Sequence, residues 1–488
     1  MLDLRNQGVK LKNNKFNQHF TSDNISIFMA NSISIPSERK RITLLDPGAG
    51  NGVLSIALVK QIIRKYGNIK KIKIVAYEID PNLIIVLTRN YNEIKEHALS
   101  LFGVKINYQI INKNYLYCLN DPIYADIAII NPPYGKIKKD SSVSKFLRGN
   151  MLSSTNYYSS FIEVAVNHMK TKGQLVAIIP RSFMNGKYFK IFRNNIFNYN
   201  TLKRIHLFES RYLFEKDIQE NVIIHIVKEK PKLDSSVEVS YSYDDSFESI
   251  KLLSKNIHEI VDKENQNIIR IFNNDGDYLI RNLIEAHGYN LSELNIQVST
   301  GPVVDFRDAK NSIYFEPGQG RIPYIFSDHI NNGDEFISWP KDIAKKGNYL
   351  SVSGNNISKL RPLGNYVIVK RFSPKEAKHR VHAAVVPEDI KHDYVAFDNK
   401  LNYFHSNKTG LDKNLAMGLS LYLNSSLVEI YLSQITGSTQ INSSDLEFLK
   451  YPSKEELREI GEQWINLRFG YSQLNINKVV SSSLKSWH

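Results

Sequence analysis

Four consecutive residues, Asn131, Pro132, Pro133 and Tyr134, close an apolar run and open a polar, basic stretch in "ADIAIINPPYGKIKKDSS" (125–142). Proline fixes φ and has no N–H for a sheet ladder, and each proline drives the residue before it toward extended geometry. Asn131 is therefore expected at a strand tip with little freedom. Its side-chain oxygen and the Pro132 carbonyl can aim at the two hydrogens of one NH₂ group, and Tyr134 supplies a flat face for a planar ring. Such a device suits methylation of an exocyclic amine. The lone pair of an adenine-type amino group is delocalised into the ring, and two acceptors on its hydrogens localise it again. A sulfonium methyl can then be attacked in line. The pattern asks for no metal and no strong general base; positioning and electrostatics carry the rate.

Upstream, "LLDPGAGNGVLSIAL" (44–58) reads as strand, Gly-rich turn and helix. Gly48, Gly50 and Gly52 let the backbone pass close to a ligand. The spacing is G-x-G-x-G rather than the dinucleotide G-x-G-x-x-G, and a plain strand-to-helix turn fits it too. Glu78 ends the next strand, in "AYEID". An acid one βαβ unit after a Gly turn can accept two ribose hydroxyls in the crevice beyond the strand tips; an ordinary surface acid is the other reading. In "NKNYLY", Asn114 can reach an adenine amino group and Tyr115 can stack on its ring, or the segment is a simple loop.

The elements that must position these residues alternate. Strands are expected at 41–46, 73–80, 104–111, 125–130, 174–179, 202–208 and 221–227, with helices such as 53–66 and 156–171 between most of them. This predicts an α/β fold, a mostly parallel sheet covered on both faces, with the last two strands as an antiparallel pair at its edge. Residues 231–290 are charged and mixed and read as extension and linker. From 291 the pattern turns to short strands, turns and aromatics. The domains expected are therefore 1–230, 231–290 and 291–488.

At 488 residues the chain exceeds one ordinary core. It has no apolar run long enough to span a bilayer, and the polar N-terminus lacks a secretory h-region. Its single cysteine, Cys118, excludes internal disulfides and a cysteine-built zinc site and fits a reducing cytoplasm. The formal net charge of +14 invites a polyanionic partner. Lys and Arg concentrate in 136–148 and 341–380.

On these motifs the sequence resembles the DNA adenine-N6 methyltransferases of bacterial restriction–modification systems, in the γ arrangement and near the TaqI and PstI types. The resemblance implies a Rossmann-like fold dependent on S-adenosylmethionine, followed by a mixed α+β target-recognition domain. "GVKLKNNKFNQHFTSDNISIFMA" (8–30) is similar to the segment that closes over the methionine end of the cofactor. Thr21 matches its threonine, and Ser22 stands where proline is usual. "DPGAGNG" matches the cofactor turn, with Asp46 and Ala49 beside the glycines. "YEID" supplies Glu78 and Ile79, and Asn114 stands where Asp is usual. "FESRYLFEKDIQENVIIHIV" (208–227) points to Phe214 as the aromatic that packs on a flipped base.

Segments 299–307, 321–340, 365–386 and 437–452 carry the PstI-like phrases. The partners implied are duplex DNA and a restriction endonuclease of the same site. Lys136, Lys138 and Lys139 are expected in a mobile loop that grips phosphate. Arg307, Lys370 and Arg371 are expected to contact bases or phosphates. Alternative readings are methylation of RNA or of a protein glutamine, or a non-catalytic DNA specificity module.

Overall fold

The computed structural model describes residues 21–209 and 220–487, apart from 273, 309–311, 332, 343–345, 355, 374–378, 436–439, 468–469 and 485–486. The chain divides into two compact units, Met1–Arg270 and Ile271–His488.

The first unit is built in the order α1 (Asp23–Asn31), β1 (Arg41–Pro47), α2 (Val53–Lys65), β2 (Lys71–Tyr77), α3 (Pro81–Phe102), β3 (Lys105–Ile111), β4 (Ala125–Ile130), α4 (Ser142–Gly149), α5 (Tyr157–Asn167), β5 (Met169–Pro180), α6 (Lys190–Phe197), β6 (Thr201–Phe208), β7 (Asn221–Val227), β8 (Ser236–Ser242) and β9 (Lys251–Asn256). The nine strands form one sheet in the order β3-β2-β1-β4-β5-β7-β6-β8-β9. From β3 to β5 all pairings are parallel. The cause is visible in β4, whose Ile127, Ala128, Ile129 and Ile130 are all buried, as a strand covered on both faces requires. β7 runs antiparallel between β5 and β6. Strand order reverses at β1 and β4, which opens a crevice at their carboxyl ends.

Three sequence expectations change. The helix expected over 156–171 stops at Asn167, and β5 starts at Met169. Sheet pairing wins there, since the Ala125 N–H takes the His168 carbonyl at 2.8 Å and local propensity is the weaker influence. The antiparallel pair β6–β7 is not the sheet edge. β8 joins β6 in parallel and β9 joins β8 antiparallel. Residues 231–290 are accordingly no separate linker. Their first part extends the sheet, and the helix Asp275–His287 lies in the second unit. Charged residues obscured the period-two pattern of "SVEVSYS", in which Val237 and Val239 point into the core.

In the second unit, strands Gln297–Thr300, Leu401–His405, Tyr366–Lys370 and Ala383–Val386 form an antiparallel sheet. A second sheet of five short strands includes Arg321–Ile325 and Tyr394–Phe397. Tyr366, Ile368, Ala384 and Val386 of the first sheet pack with Ile325, Val395 and Phe397 of the second. Helices Lys413–Leu423 and Lys454–Leu467 cross closely, because a Cβ at Gly418 would lie 1.7 Å from the Leu457 carbonyl oxygen. Among the described residues no single helix is long and apolar enough to cross a membrane.

Candidate active site

The crevice beyond β1, β2 and β4 holds most of the residues singled out by the sequence. β1 ends at Asp46-Pro47, and the turn 48–52 carries the chain into α2. The N–H groups of Gly48 and Ala49 donate to the Tyr77 carbonyl at 2.8 and 2.9 Å, which ties the turn to the tip of β2. Gly52 has φ +84°, and a Cβ there would lie 2.7 Å from Leu87. Only glycine satisfies both demands.

Glu78 is 3% exposed. Its carboxylate accepts the N–H of Gly50 and of Asp80, each at 2.8 Å. Burial raises its pKa above the ordinary carboxyl value, opposed by those backbone donors. Neighbouring Asp80 does different work. It caps α3 by accepting the Asn82 N–H at 2.9 Å, with Pro81 at the first helical position. Asn112, which sequence reasoning missed, donates to the carbonyls of Glu78 and Ile79 at 2.8 and 3.1 Å and fixes the backbone of this tip.

A cleft of about 350 Å³ is lined by Thr21, Gly48, Ala49, Gly50, Glu78, Ile79, Asn114, Tyr115, Asn131, Pro132 and Pro133. Tyr157 and Phe161 of α5 also line it and were not foreseen. Tyr157 is the first residue of α5 and Phe161 lies one turn further along, and aromatics at helical spacing usually mean core, so they gave no distinct sequence signal. Gly52 lies behind the turn. Asp46 lies beneath it, 1% exposed, and its Oδ2 has no hydrogen-bond partner among the described residues. Burial pushes the Asp46 carboxyl up to about 7, with Ser55 opposing.

Tyr115 is buried, its hydroxyl 2.9 Å from His168 Nδ1 and its ring 5.4 Å from that of Phe161. Asn114 Oδ1 accepts the Leu116 N–H at 3.1 Å, so its oxygen serves a local turn, the usual habit of a short amide side chain. At the strand tip, Asn131 Nδ2 donates to Thr21 Oγ1 at 2.9 Å. Tyr134 donates its hydroxyl either to Asn131 Oδ1 at 3.0 Å or to the Ile178 carbonyl at 3.3 Å. The Tyr134 ring is 8% exposed and stands edge-on to Tyr158, rather than presenting an open face. Phe214 lies outside the described residues.

The basic segment after Tyr134 is an arm closed at its base. Ile137 N–H donates to the Thr155 carbonyl and Tyr157 N–H to the Gly135 carbonyl, both at 3.0 Å. Expected as a mobile loop, it contains α4, capped by Ser141 through the Ser144 N–H at 3.2 Å. Tyr117 docks α4 through its hydroxyl, 2.8 Å from Ser142 Oγ. Buried Glu163 of α5 holds the return leg, accepting the Ser153 N–H at 2.9 Å and Asn195 Nδ2 at 2.7 Å. Lys136, Lys138 and Lys139 are exposed on this arm.

In the second unit the three basic candidates differ. Arg307 is exposed and Lys370 is half-buried at its strand end, where burial lowers its pKa. Arg371 spends Nη1 on the Asn399 carbonyl at 2.6 Å. Among the described residues no cluster of three or more His, Cys, Asp or Glu side chains could hold a metal.

The model of the Eco57I restriction-modification methylase family matches residues 69–214. Over 471 residues the chain is 38% identical to the type II methyltransferase M.BsuBI of Bacillus subtilis, spanning 93% of this chain and 91% of that one. The chain belongs to the type II DNA methyltransferases of restriction–modification systems. This methyltransferase is also 35% identical to the type II methyltransferase M.PstI of Providencia stuartii, over 96% of its own length and 93% of the relative's. Its fold is similar to a solved nuclease-deletion mutant of the type ISP restriction-modification enzyme LlaGI, with TM-score 0.50 and 12% identity across 93% of this chain and 47% of that one.

The cofactor of the methyltransferase is S-adenosylmethionine, and the cleft suits it. Glu78 stands at the tip of β2 on the cleft wall, and Leu54, Ile79 and Leu83 give an apolar wall beside it.

Proposed function

We propose that this methyltransferase modifies the exocyclic N6 amino group of adenine in duplex DNA, at a specific sequence shared with a companion restriction endonuclease. The observation that carries this reading is Asn131 at the cleft edge, its carboxamide gripped from both ends by Thr21 and Tyr134.

Bound S-adenosylmethionine supplies an electrophilic sulfonium methyl group. Glu78 would hold its ribose, Asn114 and Tyr115 would flank its adenine, and the turn Gly48–Gly50, supported from beneath by Asp46, would pass close to it. The Nδ2 bond to Thr21 fixes which end of the Asn131 amide faces the substrate. Asn131 Oδ1 and the Pro132 carbonyl then accept the two amino hydrogens of the target, which localises the nitrogen lone pair. Tyr134 has one hydroxyl proton and, among the described residues, can give it to Asn131 Oδ1 or to the Ile178 carbonyl, so turning it to Ile178 withdraws it from Asn131 Oδ1 as the amino group arrives. The target proton leaves after transfer. Catalysis rests on preorganised dipoles and position.

In a duplex the adenine has to be flipped out, at a cost of roughly a few kcal/mol. Phe214 would return part of this by stacking, on the order of 1–3 kcal/mol. The arm lysines Lys136, Lys138 and Lys139 would hold phosphate beside the flipped base. The unit Met1–Arg270 is then the catalytic domain and Ile271–His488 the reader of sequence. Labelled methyl transfer to duplex DNA, RNA and protein, followed by nucleoside analysis, tests the reading. N6-methyladenine in one DNA sequence context is expected. Label on cytosine, on RNA or on a glutamine would overturn it.

A further inference from the structure

The loop between β8 and β9, in a stretch that reads as linker by composition, reaches back to Ser22, next to the threonine that holds Asn131. Asp245 Oδ2 accepts the hydroxyl of Ser22 at 2.6 Å. Ser22 is also the N-cap of α1, accepting the Ile25 N–H at 3.4 Å. The next residue back is Thr21, whose hydroxyl accepts Asn131 Nδ2 at 2.9 Å. Two residues beyond Asp245, Phe247 adopts φ +55°, a left-handed conformation that bulky side chains avoid. That backbone lays its ring flat on Phe28 of α1, centroids 4.2 Å apart and planes 4° apart. His206 of β6 packs against the same Phe28 at 4.5 Å. The loop thus grips α1 at its N-cap and again more than one turn along. A strained residue held by its surroundings marks a place where geometry is being enforced.

We propose that Asp245 is a positioning residue for methyl transfer: through Ser22 it sets the height and direction of Thr21, and Thr21 in turn orients the Asn131 carboxamide toward the target amino group. Where proline would restrict the backbone after Thr21 by itself, this chain has Ser22, and the Asp245 contact supplies the restriction from outside. Phe247 keeps α1 seated, so the Asp245 bond acts on a fixed helix. The inference rests on Asn131 being the amino acceptor.

The test uses the full chain and steady-state methylation of its cognate duplex at saturating S-adenosylmethionine. Asp245→Ala is expected to lower kcat by about tenfold, within the range a small misplacement of a reacting group produces, with KM for DNA and the thermal midpoint nearly unchanged. Asp245→Asn keeps an acceptor oxygen and is expected to retain most of the activity. Ser22→Asp keeps the helix cap but sets two carboxylates against each other, and should lose kcat likewise. The pair Ser22→Asp with Asp245→Asn reverses donor and acceptor and should recover kcat. An unchanged kcat in Asp245→Ala, or independent losses in the pair without recovery, would overturn the proposal. A kcat loss that only follows a fall in thermal midpoint would overturn it as well. Asn131→Ala separates the two levels. If it keeps full turnover, the catalytic reading itself fails; if it is dead while Asp245→Ala is unaffected, only the positioning role falls.

Discussion

The tip of β4 and the basic surface of the second unit were both marked by residue type, yet they turn out differently. At the tip, Asn131, Pro132 and Pro133 line one cleft with the Gly turn and Glu78. In the second unit, Arg307 is exposed, Lys370 is half-buried and Arg371 is bonded to a framework carbonyl. The difference lies in what fixes each side chain. Proline, glycine and a strand end dictate backbone, and backbone dictates where Asn131 and Glu78 point. A long cationic side chain has several rotatable bonds and takes its direction from neighbours distant in sequence.

The sharpest test of the tip is Asn131→Ala, which should reduce kcat by about 10²-fold or more while a titration with S-adenosylmethionine stays close to normal. Near-normal turnover would remove the contrast altogether.

The arm lies between the two cases, and Glu163 decides how firmly it is held. Burial pushes its carboxyl from 4.5 up to about 7. Between those values the folded chain keeps a proton that the unfolded chain releases, so the contribution is fully present below the lower value and is lost as pH rises to about 7. The span corresponds to roughly 3 kcal/mol at most. Denaturant midpoints of the parent chain and of Glu163→Gln should therefore diverge between pH 5 and pH 8, the parent losing more. Parallel curves would show that the carboxyl is not desolvated as the fold implies.

Glu78→Ala should raise KM for S-adenosylmethionine by about tenfold or more, the scale of hydrogen bonds to a charged acceptor, with kcat at saturation less affected. A cofactor titration that does not move would put the ribose elsewhere in the cleft.

Smaller effects belong to the cations. Replacing Lys136, Lys138 and Lys139 by Gln should reduce the slope of log affinity against log salt by nearly 1 for each lysine that faces a phosphate, equally on cognate and unrelated DNA. Arg371→Ala should lower methylation of matched and mismatched duplexes alike, because its guanidinium serves the fold. Relaxation at one base pair of about 1–3 kcal/mol, expected of a side chain bidentate to a guanine edge, would move it among the readers and erase the contrast within its own unit.

Much of the first unit was legible. The strands near 41–46, 125–130, 202–208 and 221–227 fall within a residue of β1, β4, β6 and β7, because Ile- and Val-rich runs between turn residues have few other fates. Strands β8 and β9 were not legible, since no residue of the outer strand β9 is fully buried and the charges around them imitate a linker. The cofactor cleft was read from the Gly turn and Glu78, but its walls at Tyr157 and Phe161 come from a helix that only the folded chain brings near. Tyr134 was expected to offer a face. Its ring is buried, and its hydroxyl can reach the Ile178 carbonyl of β5, a contact that residue type alone does not announce.

The outer strands β8 and β9 have a consequence for dissecting the molecule. A chain cut after Lys230, where composition suggests a boundary, would strip β6 of its parallel neighbour and leave its backbone donors and acceptors bare along "TLKRIHLF". Leu202, Ile205, Leu207 and Phe208 of that strand are buried, so the new edge would be apolar and several residues long. Such an edge templates pairing with another chain. The fragment would therefore self-associate into sheet-rich aggregates, whereas one ended after Arg270 keeps both outer strands and should remain dispersed.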